Sequence, residues 1–420
     1  MSAQALLRVG DPHDMFYADS QNCRKQAINV EYNTRFKQDL ANKSQGTSVI
    51  TVNPNQGYTH FLLVLGWNAS SINNQNGQTA LKKGWGYDAL NSITFRVAGS
   101  SQYQLSSAQL LQRNLRMCRT QSQRQAILDL GGNECKVATD FDTSQFAYIP
   151  ISIFNPPATD DLNLPLPTDT LSQLVLLTVQ LNAPSSYWFV ASGAASPVAP
   201  PQAFDVGYVR MEQLEMKNRG DAIANRVNLN ENMLVLPNIF DQQEIVVPLG
   251  TPGNQTTTDI ALTLTGFRAA ECKSINIWLQ DDNLENSATT APQAYLWVQP
   301  TKAEVLYAGT IYSQYENGEG DMWNLLDGTS PSAVTSSALT SAAGAWTSAP
   351  VLFKWLKLPF SQPSGSDYSS ENLIHGKTID SGLVNLNLRV PYASSGWVLH
   401  AVYELNSTIG FSKGTAEFYF

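Results

Sequence analysis

Residues 146–182 read FAYIPISIFNPPATDDLNLPLPTDTLSQLVLLTVQLN, in which a proline-rich corner separates two apolar, strand-like segments. The prolines at positions 150, 156, 157, 165 and 167 fix φ and remove backbone hydrogen-bond donors. Within a sheet, proline is confined to edge strands, to the first residue of a strand, or to bulges. The stretch therefore predicts a rigid connection at a sheet edge, which suits a wall or an interface better than a cleft.

The composition favours β structure with uncharged surfaces. Charged residues make up 15% of the 420-residue chain and hydrophobic residues 43%, whereas an average globular domain is about 25% charged. Asn, Gln, Ser and Thr take the place of the missing charges. Such a surface is easier to bury in an assembly, because charged residues are depleted from the cores of protein interfaces.

The charge of the chain argues against a protein that coats nucleic acid. The formal net charge is −9, whereas nucleic-acid binding depends on Lys and Arg that neutralise phosphates. The first 43 residues carry six basic and five acidic side chains, which is not a basic tail. Neither a secretory signal nor a stretch of about 20 apolar residues occurs, so we expect a protein that is soluble as made.

Short strand-like runs separated by turn residues continue from about residue 26 to the end of the chain. Two of them, Ile93–Val97 and Leu386–Val390, alternate apolar and polar residues, which is typical of half-buried strands. Many short strands with frequent turns indicate β-sandwiches. Because the apolar pattern lapses near residues 217–228, we predict three regions: an N-terminal arm (1–25), a first domain (26–220) and a second domain (221–420).

One helix is predicted from Ser106 to about Leu130, with an apolar stripe on one face and a glycine pair after its end. Arg113 and Arg116 point away from that stripe, and no acidic residue occurs nearby. This basic side is either a solvated helix face or a contact surface that faces inward or towards another subunit.

Two long segments of low complexity interrupt the strand pattern. Residues 68–83 are rich in Asn, Gln and Ser, and residues 327–350 consist almost wholly of Ser, Thr, Ala and Gly. Both are too long for hairpin turns, so we expect them to protrude.

No group of residues predicts catalysis, a metal or a cofactor. Of the histidines, His60 and His400 lie in strand patterns, where we expect structural rather than catalytic roles, and no two histidines have metal-ligand spacing. The four cysteines lack CxxC spacing and are expected to be free thiols. The sequence contains neither the GxxxxGK[ST] motif of phosphate-binding loops nor the GxSxG motif that carries a nucleophilic serine. The tryptophans are spread through the strands, which favours core packing over a sugar-binding platform.

Several segments, in collinear order, resemble the double jelly-roll major capsid proteins of eukaryotic double-stranded DNA viruses. IPISIFNPP (149–157), LPLP (164–167) and LVLL (174–177) resemble a strand of that family, its corner and the next strand. Each segment is weakly specific alone, but together they span nearly the whole chain. The further segments are DMFYAD (14–19), INVEYNTRF (28–36), GWGYDALNSITFRVAG (84–99), AECKSINIWLQD (270–281) and VYELNSTIGFSKGTAEFYF (402–420).

The resemblance implies an all-β protein of two consecutive eight-stranded jelly rolls, with a short helix in a loop of the first. It implies a structural protein of the virion that forms homotrimeric, pseudo-hexagonal capsomers, which tile an icosahedral shell. Its partners would be further copies, neighbouring capsomers, and penton and minor capsid or cement proteins, and the shell can overlie an inner membrane. The alternatives are a jelly-roll carbohydrate-binding protein and a minor capsid or penton protein.

Six residues are candidates for contacts between subunits, with a solvated helix face as the alternative for the two arginines and a place in the core as the alternative for the other four. They are Phe16, Tyr17, Arg113, Arg116, Ile239 and Phe240.

Overall fold

The structure is a computed structural model in which most strands belong to four sheets. It describes residues 30–52, 57–97, 101–116, 118, 120–151, 166–167, 174–191, 193–216, 234–250, 257–265, 270–281, 297–316, 318–326, 333–342, 344–360, 377–379, 382–391, 396–412 and 415–419.

The strands of the first half form two main sheets and one short ribbon. They are β1 (Val30–Asp39), β2 (Gly46–Val52), β3 (Gly57–Trp67), β4 (Thr79–Leu81), β5 (Leu90–Val97), β6 (Ser101–Ser106), β7 (Gln145–Ile151), β8 (Leu166–Pro167), β9 (Val175–Leu181), β10 (Trp188–Val190) and β11 (Val206–Met216). Sheet A has the order β1-β11-β3-β7, with β8 on β3, and sheet B has the order β2-β9-β5-β6. The ribbon pairs β4 with β10.

The second half repeats this arrangement and adds a hairpin. Its strands are β12 (Leu234–Gly250), β13 (Thr257–Leu264), β14 (Ala270–Asp281), β15 (Lys302–Tyr307), β16 (Thr310–Glu316), β17 (Ala333–Ala342), β18 (Ala345–Lys354), β19 (Leu356–Pro359), β20 (Lys377–Ile379), β21 (Val384–Pro391), β22 (Trp397–Ser412) and β23 (Thr415–Tyr419). Sheet C has the order β12-β22-β14-β19, with β20 on β14 and β23 on β22, and sheet D has the order β13-β21-β15-β16. The hairpin pairs β17 with β18.

Each half has the strand order of a jelly roll. Among the eight main strands of each half, one sheet joins the first, eighth, third and sixth, and the other joins the second, seventh, fourth and fifth. This is two Greek keys folded into a double sheet. The predicted fold of two eight-stranded jelly rolls is therefore confirmed.

Alternating burial explains why the sheets face each other in pairs. In β9, every second residue from Val175 to Leu181 is buried, and in β21 the same holds from Val384 to Val390. One face of each strand thus enters a core, as expected for a period of two. The sandwich of sheets A and B encloses one core and the sandwich of sheets C and D another.

The proline-containing strand lies where the sequence predicts. Strand β7 is an edge strand of sheet A and pairs with β3, placing Pro150 opposite Leu62. Pro167 lies in β8, opposite Gly57 of β3. The remaining prolines of the corner lie outside the described residues.

The described helices are short. They are α1 (Ala69–Ile72), α2 (Trp85–Ala89), α3 (Ser107–Arg116), α4 (Gln121–Leu130) and α5 (Glu319–Leu326).

The prediction of one continuous helix over 106–130 is wrong, because a cap begins a second helix at α4. The Thr120 side chain accepts a hydrogen bond from the Gln123 amide at 3.2 Å, and the Gln123 side chain accepts one from the Thr120 amide at 3.1 Å. This reciprocal capping box satisfies two backbone donors at the start of a helix. Gly131 follows the last turn of α4, as predicted.

The segment 68–83 is folded against the first roll rather than protruding. It contains α1 and β4, and its polar residues Gln75 and Thr79 are buried. The Thr79 hydroxyl donates to the Gln75 side-chain oxygen at 2.5 Å. Since buried polar groups need such partners, this internal bond allows Gln75 and Thr79 to be buried.

Candidate functional site: the junction between the two jelly rolls

The hairpin of β17 and β18, here called the strap, belongs to the second roll but packs on the first. Leu339 and Trp346 of the strap form an apolar cluster with Ala80 and Phe189 of the β4–β10 ribbon. The Lys136 ammonium of the first roll also donates to the hydroxyl of Ser348. The expectation that residues 327–350 protrude is therefore wrong for the described part of this segment, because Leu339 and Trp346 are buried against the other roll.

A helix of the first roll makes the reciprocal contact. Helix α3 directly follows β6, and its residue Arg116 forms an ion pair with Glu404 of β22 in the second roll. Ser106, at the end of β6, donates to the carboxylate of Glu244 on β12. In each roll, the connection between the fifth and sixth main strands thus reaches the other roll.

The surface that α3 contacts is the outer face of sheet C. On β14, Ile275, Ile277 and Leu279 face the core of the second roll. The intervening residues Asn276 and Trp278 face outward, yet both are fully buried. This strand is buried on both faces, because the first roll covers the side that would otherwise meet solvent.

Glu404 is the centre of a buried polar network on this face. Its carboxylate accepts a hydrogen bond from the Ser274 hydroxyl at 2.7 Å and another from the Asn276 amide at 2.5 Å, in addition to pairing with Arg116. The side chains of Glu404 and Arg116 are only 7% and 11% exposed. Buried charges are tolerated when they are paired and hydrogen-bonded in this way.

His400 connects the network to aromatic packing. Its Nδ1 atom lies 2.8 Å from a carboxylate oxygen of Glu244, and its ring stacks on Trp278 with centroids 5.0 Å apart. Trp278 in turn stacks on Trp297 at 4.5 Å. The predicted structural role of His400 is confirmed by this burial, whereas the side chain of His60 lies outside the described part of the structure.

The tryptophans pack inside the protein. Trp67 lies 5.0 Å from Trp85 and 4.6 Å from Phe204, measured between ring centroids, and all three rings are buried. Among the described residues, seven tryptophan side chains other than the one in the strap are buried in this way, so they do not form an exposed sugar-binding platform. They are Trp67, Trp85, Trp188, Trp278, Trp297, Trp355 and Trp397.

The interface candidates fall in three different environments. Arg113 is 1% exposed within the chain, so the interpretation of its helix face as solvated is wrong. Arg116 faces the second roll through Glu404, and a role of either arginine between subunits stays a prediction. Ile239 and Phe240 lie in β12, where the pairing register with β22 shifts between Asn238 and Asp241. The remaining two candidates, Phe16 and Tyr17, lie outside the described residues.

Over the described ranges, no three His, Cys, Asp or Glu side chains are grouped so that they could hold a metal ion. Within the same ranges, no helix has the length and apolar character needed to cross a membrane. Cys118, Cys135 and Cys272 are free thiols, as expected, and Cys23 lies outside these ranges.

The protein matches known proteins in structure but not in sequence. No protein-family model and no curated protein matches the sequence. Among solved structures, PBCV-1 VP54, fitted into a reconstruction of the virophage Sputnik, matches with a TM-score of 0.62 and 11% identity over 94% of this chain and 99% of that chain. A chain of the Sputnik virophage structure matches with a TM-score of 0.57 and 10% identity over 93% of this chain and 88% of that chain.

The Faustovirus major capsid protein matches with a TM-score of 0.53 and 8% identity over 98% of this chain and 97% of that chain. These matches cover both jelly rolls together, in one chain. The protein therefore has the double jelly-roll fold of viral capsid proteins.

Proposed function

We propose that this protein is the major capsid protein of a DNA virus. Three copies associate into a pseudo-hexagonal capsomer, and capsomers tile an icosahedral shell with penton and minor capsid or cement proteins. The rolls span residues 26–220 and 221–420, and residues 1–25 form an arm. The observation that carries the proposal is the double jelly roll, which matches the Faustovirus major capsid protein over 98% of this chain.

The junction supports a role that depends on shape. Reciprocal contacts through α3 and the strap, together with the buried Glu404 network, fix the two rolls against each other. A capsomer with six similar rolls requires a constant angle between the two rolls of each chain. Buried hydrogen-bonded networks can specify such a geometry.

The alternatives have less support. A carbohydrate-binding protein needs exposed aromatic residues on one face, whereas the tryptophans named above are buried. A penton or minor capsid protein usually needs one roll, and this chain has two.

The native mass of the purified full-length protein tests the proposal. A stable trimer of about 138 kDa, three times the chain mass of 46.0 kDa, is the expected result. A monodisperse monomer that binds glycans would exclude the capsomer and support the carbohydrate-binding alternative.

A further inference from the structure

The outer faces of sheets A and C are equivalent in the two rolls but differ in burial. On sheet C, the first roll covers this face, so that Trp278 and Glu404 are both buried. On sheet A, Tyr148 is 37% exposed and Arg210 is exposed. Among the described residues, the outer face of sheet A is therefore less covered than that of sheet C, with Val64 buried at its centre and Tyr148 and Arg210 exposed.

The outer face of sheet A has the composition of an interface. In neighbouring strands, Tyr148 lies opposite Val64, which lies opposite Tyr208, and these residues point away from the core. Arg210 lies beside this row, 5.7 Å from the Tyr208 ring centroid. Tyrosine and arginine are enriched among the residues that contribute most to binding at interfaces.

Helix α5 is the counterpart of α3. Each helix follows the fifth main strand of its roll, β6 for α3 and β16 for α5. Helix α3 presents Arg116 to the outer face of sheet C. Helix α5 exposes Glu319 and Met322, which are three residues apart and share a helix face.

The charges of the two pairs are reversed. Within the chain, the basic helix α3 meets a face that carries Glu244 and Glu404. The exposed Glu319 in the first turn of α5, a helix with no basic residue in its last turn, matches the exposed Arg210 on the outer face of sheet A. Complementary charges favour a particular partner and fix its orientation.

We infer that the outer face of sheet A binds helix α5 of a second copy of this chain. This contact between chains has the same arrangement as the contact between α3 and sheet C within one chain. It places Glu319 beside Arg210 and Met322 against Tyr148. Such a head-to-tail contact is heterologous, and it closes into a ring when the rotation per chain divides a full turn. This inference rests on the proposed trimer, since it names the surfaces that form it.

Charge reversal in the full-length chain tests the contact. We expect Arg210→Glu and Glu319→Lys each to raise the trimer dissociation constant at least about tenfold, because each places like charges opposite one another. The double variant should recover to within about threefold of the wild type. Sedimentation velocity over a dilution series measures these constants, and circular dichroism melting shows whether each variant is folded.

Arg96→Glu is the matched control, because Arg96 is an exposed arginine on β5 of sheet B. It should leave the dissociation constant within about twofold of the wild type. The inference would be overturned if the control weakened the trimer as much as Arg210→Glu, or if neither single charge reversal had an effect. It would also be overturned if the losses in the double variant were additive. None of these outcomes would contradict the proposed trimer itself. A wild-type chain that does not form trimers would instead overturn the proposed function.

Discussion

At the scale of single residues, the junction depends on charged groups that the strand pattern places on a solvent face. Glu404 alternates with Tyr403 and Leu405, which face the core of the second roll. A charged residue at such a position is usually solvated, but here its side chain is only 7% exposed. The contribution of Arg116, Ser274 and Asn276 is to replace the water that this carboxylate loses.

Replacing Glu404 by alanine should destabilise the protein strongly. The change removes the carboxylate that pairs with Arg116 and accepts hydrogen bonds from Ser274 and Asn276 in a nearly buried site, which costs about 3–5 kcal/mol of the free energy of unfolding. Urea unfolding followed by tryptophan fluorescence measures the loss. The control is Asp39→Ala in the exposed Lys37–Asp39 pair, where we expect a change below about 1 kcal/mol. Losses of similar size in both variants would contradict the assigned role of Glu404.

Cys135 should react slowly in the folded protein. Burial, with smaller contributions from Asp140 and Glu134, raises the pKa of its thiol to about 12. Because the thiolate is the reactive form, iodoacetamide at pH 8 should modify Cys135 at least about a hundredfold more slowly than a free cysteine. Peptide mapping by mass spectrometry measures the rate, and unfolding in urea should restore it. Rapid alkylation of folded protein would show that the thiol is accessible.

At the scale of elements, the strap and the α3–α4 pair show where local pattern is insufficient. The strap is poor in charge and rich in small residues, so its sequence resembles a solvated loop. Its burial depends on the β4–β10 ribbon, which is distant in sequence. Its two strands become predictable only when that partner surface is known.

Shortening one side chain should release the strap. Leu339 is fully buried in the cluster with Ala80 and Phe189, and Leu→Ala changes in a core cost about 2–5 kcal/mol. We expect Leu339→Ala to increase hydrogen exchange over residues 333–354 while the strands of sheets A to D stay protected. Thr340→Ala, at an exposed position of the same strand, is the control. Unchanged protection of the strap in the Leu339 variant would contradict its attachment through this cluster.

The elements that could be predicted from sequence are those with a local signal. The apolar alternation of β21, the edge position of Pro150 and the end of α4 at Gly131 all follow from local periodicity or from backbone restrictions. The break before α4 also has a local signal, because Thr120 and Gln123 have the spacing of a capping box. The pairing of Arg116 with Glu404 has no such signal, since the two residues come from different rolls.

At the scale of the whole molecule, the two rolls are joined by an exchange of connections rather than by a simple linker. The helix of the first roll lies on sheet C, and the strap of the second roll lies on the first. This exchange leaves the outer face of sheet A and the exposed side of α5 as the unmatched pair. We infer that these two surfaces pair between neighbouring chains.

A cryo-electron microscopy map of the purified full-length protein tests this account most directly. We expect the map to show a closed ring of three chains with six jelly rolls, in which helix α5 of each copy lies against the outer face of sheet A in the next copy. A monomer, a twofold dimer, or a trimer with Tyr148 and Arg210 facing solvent would contradict it.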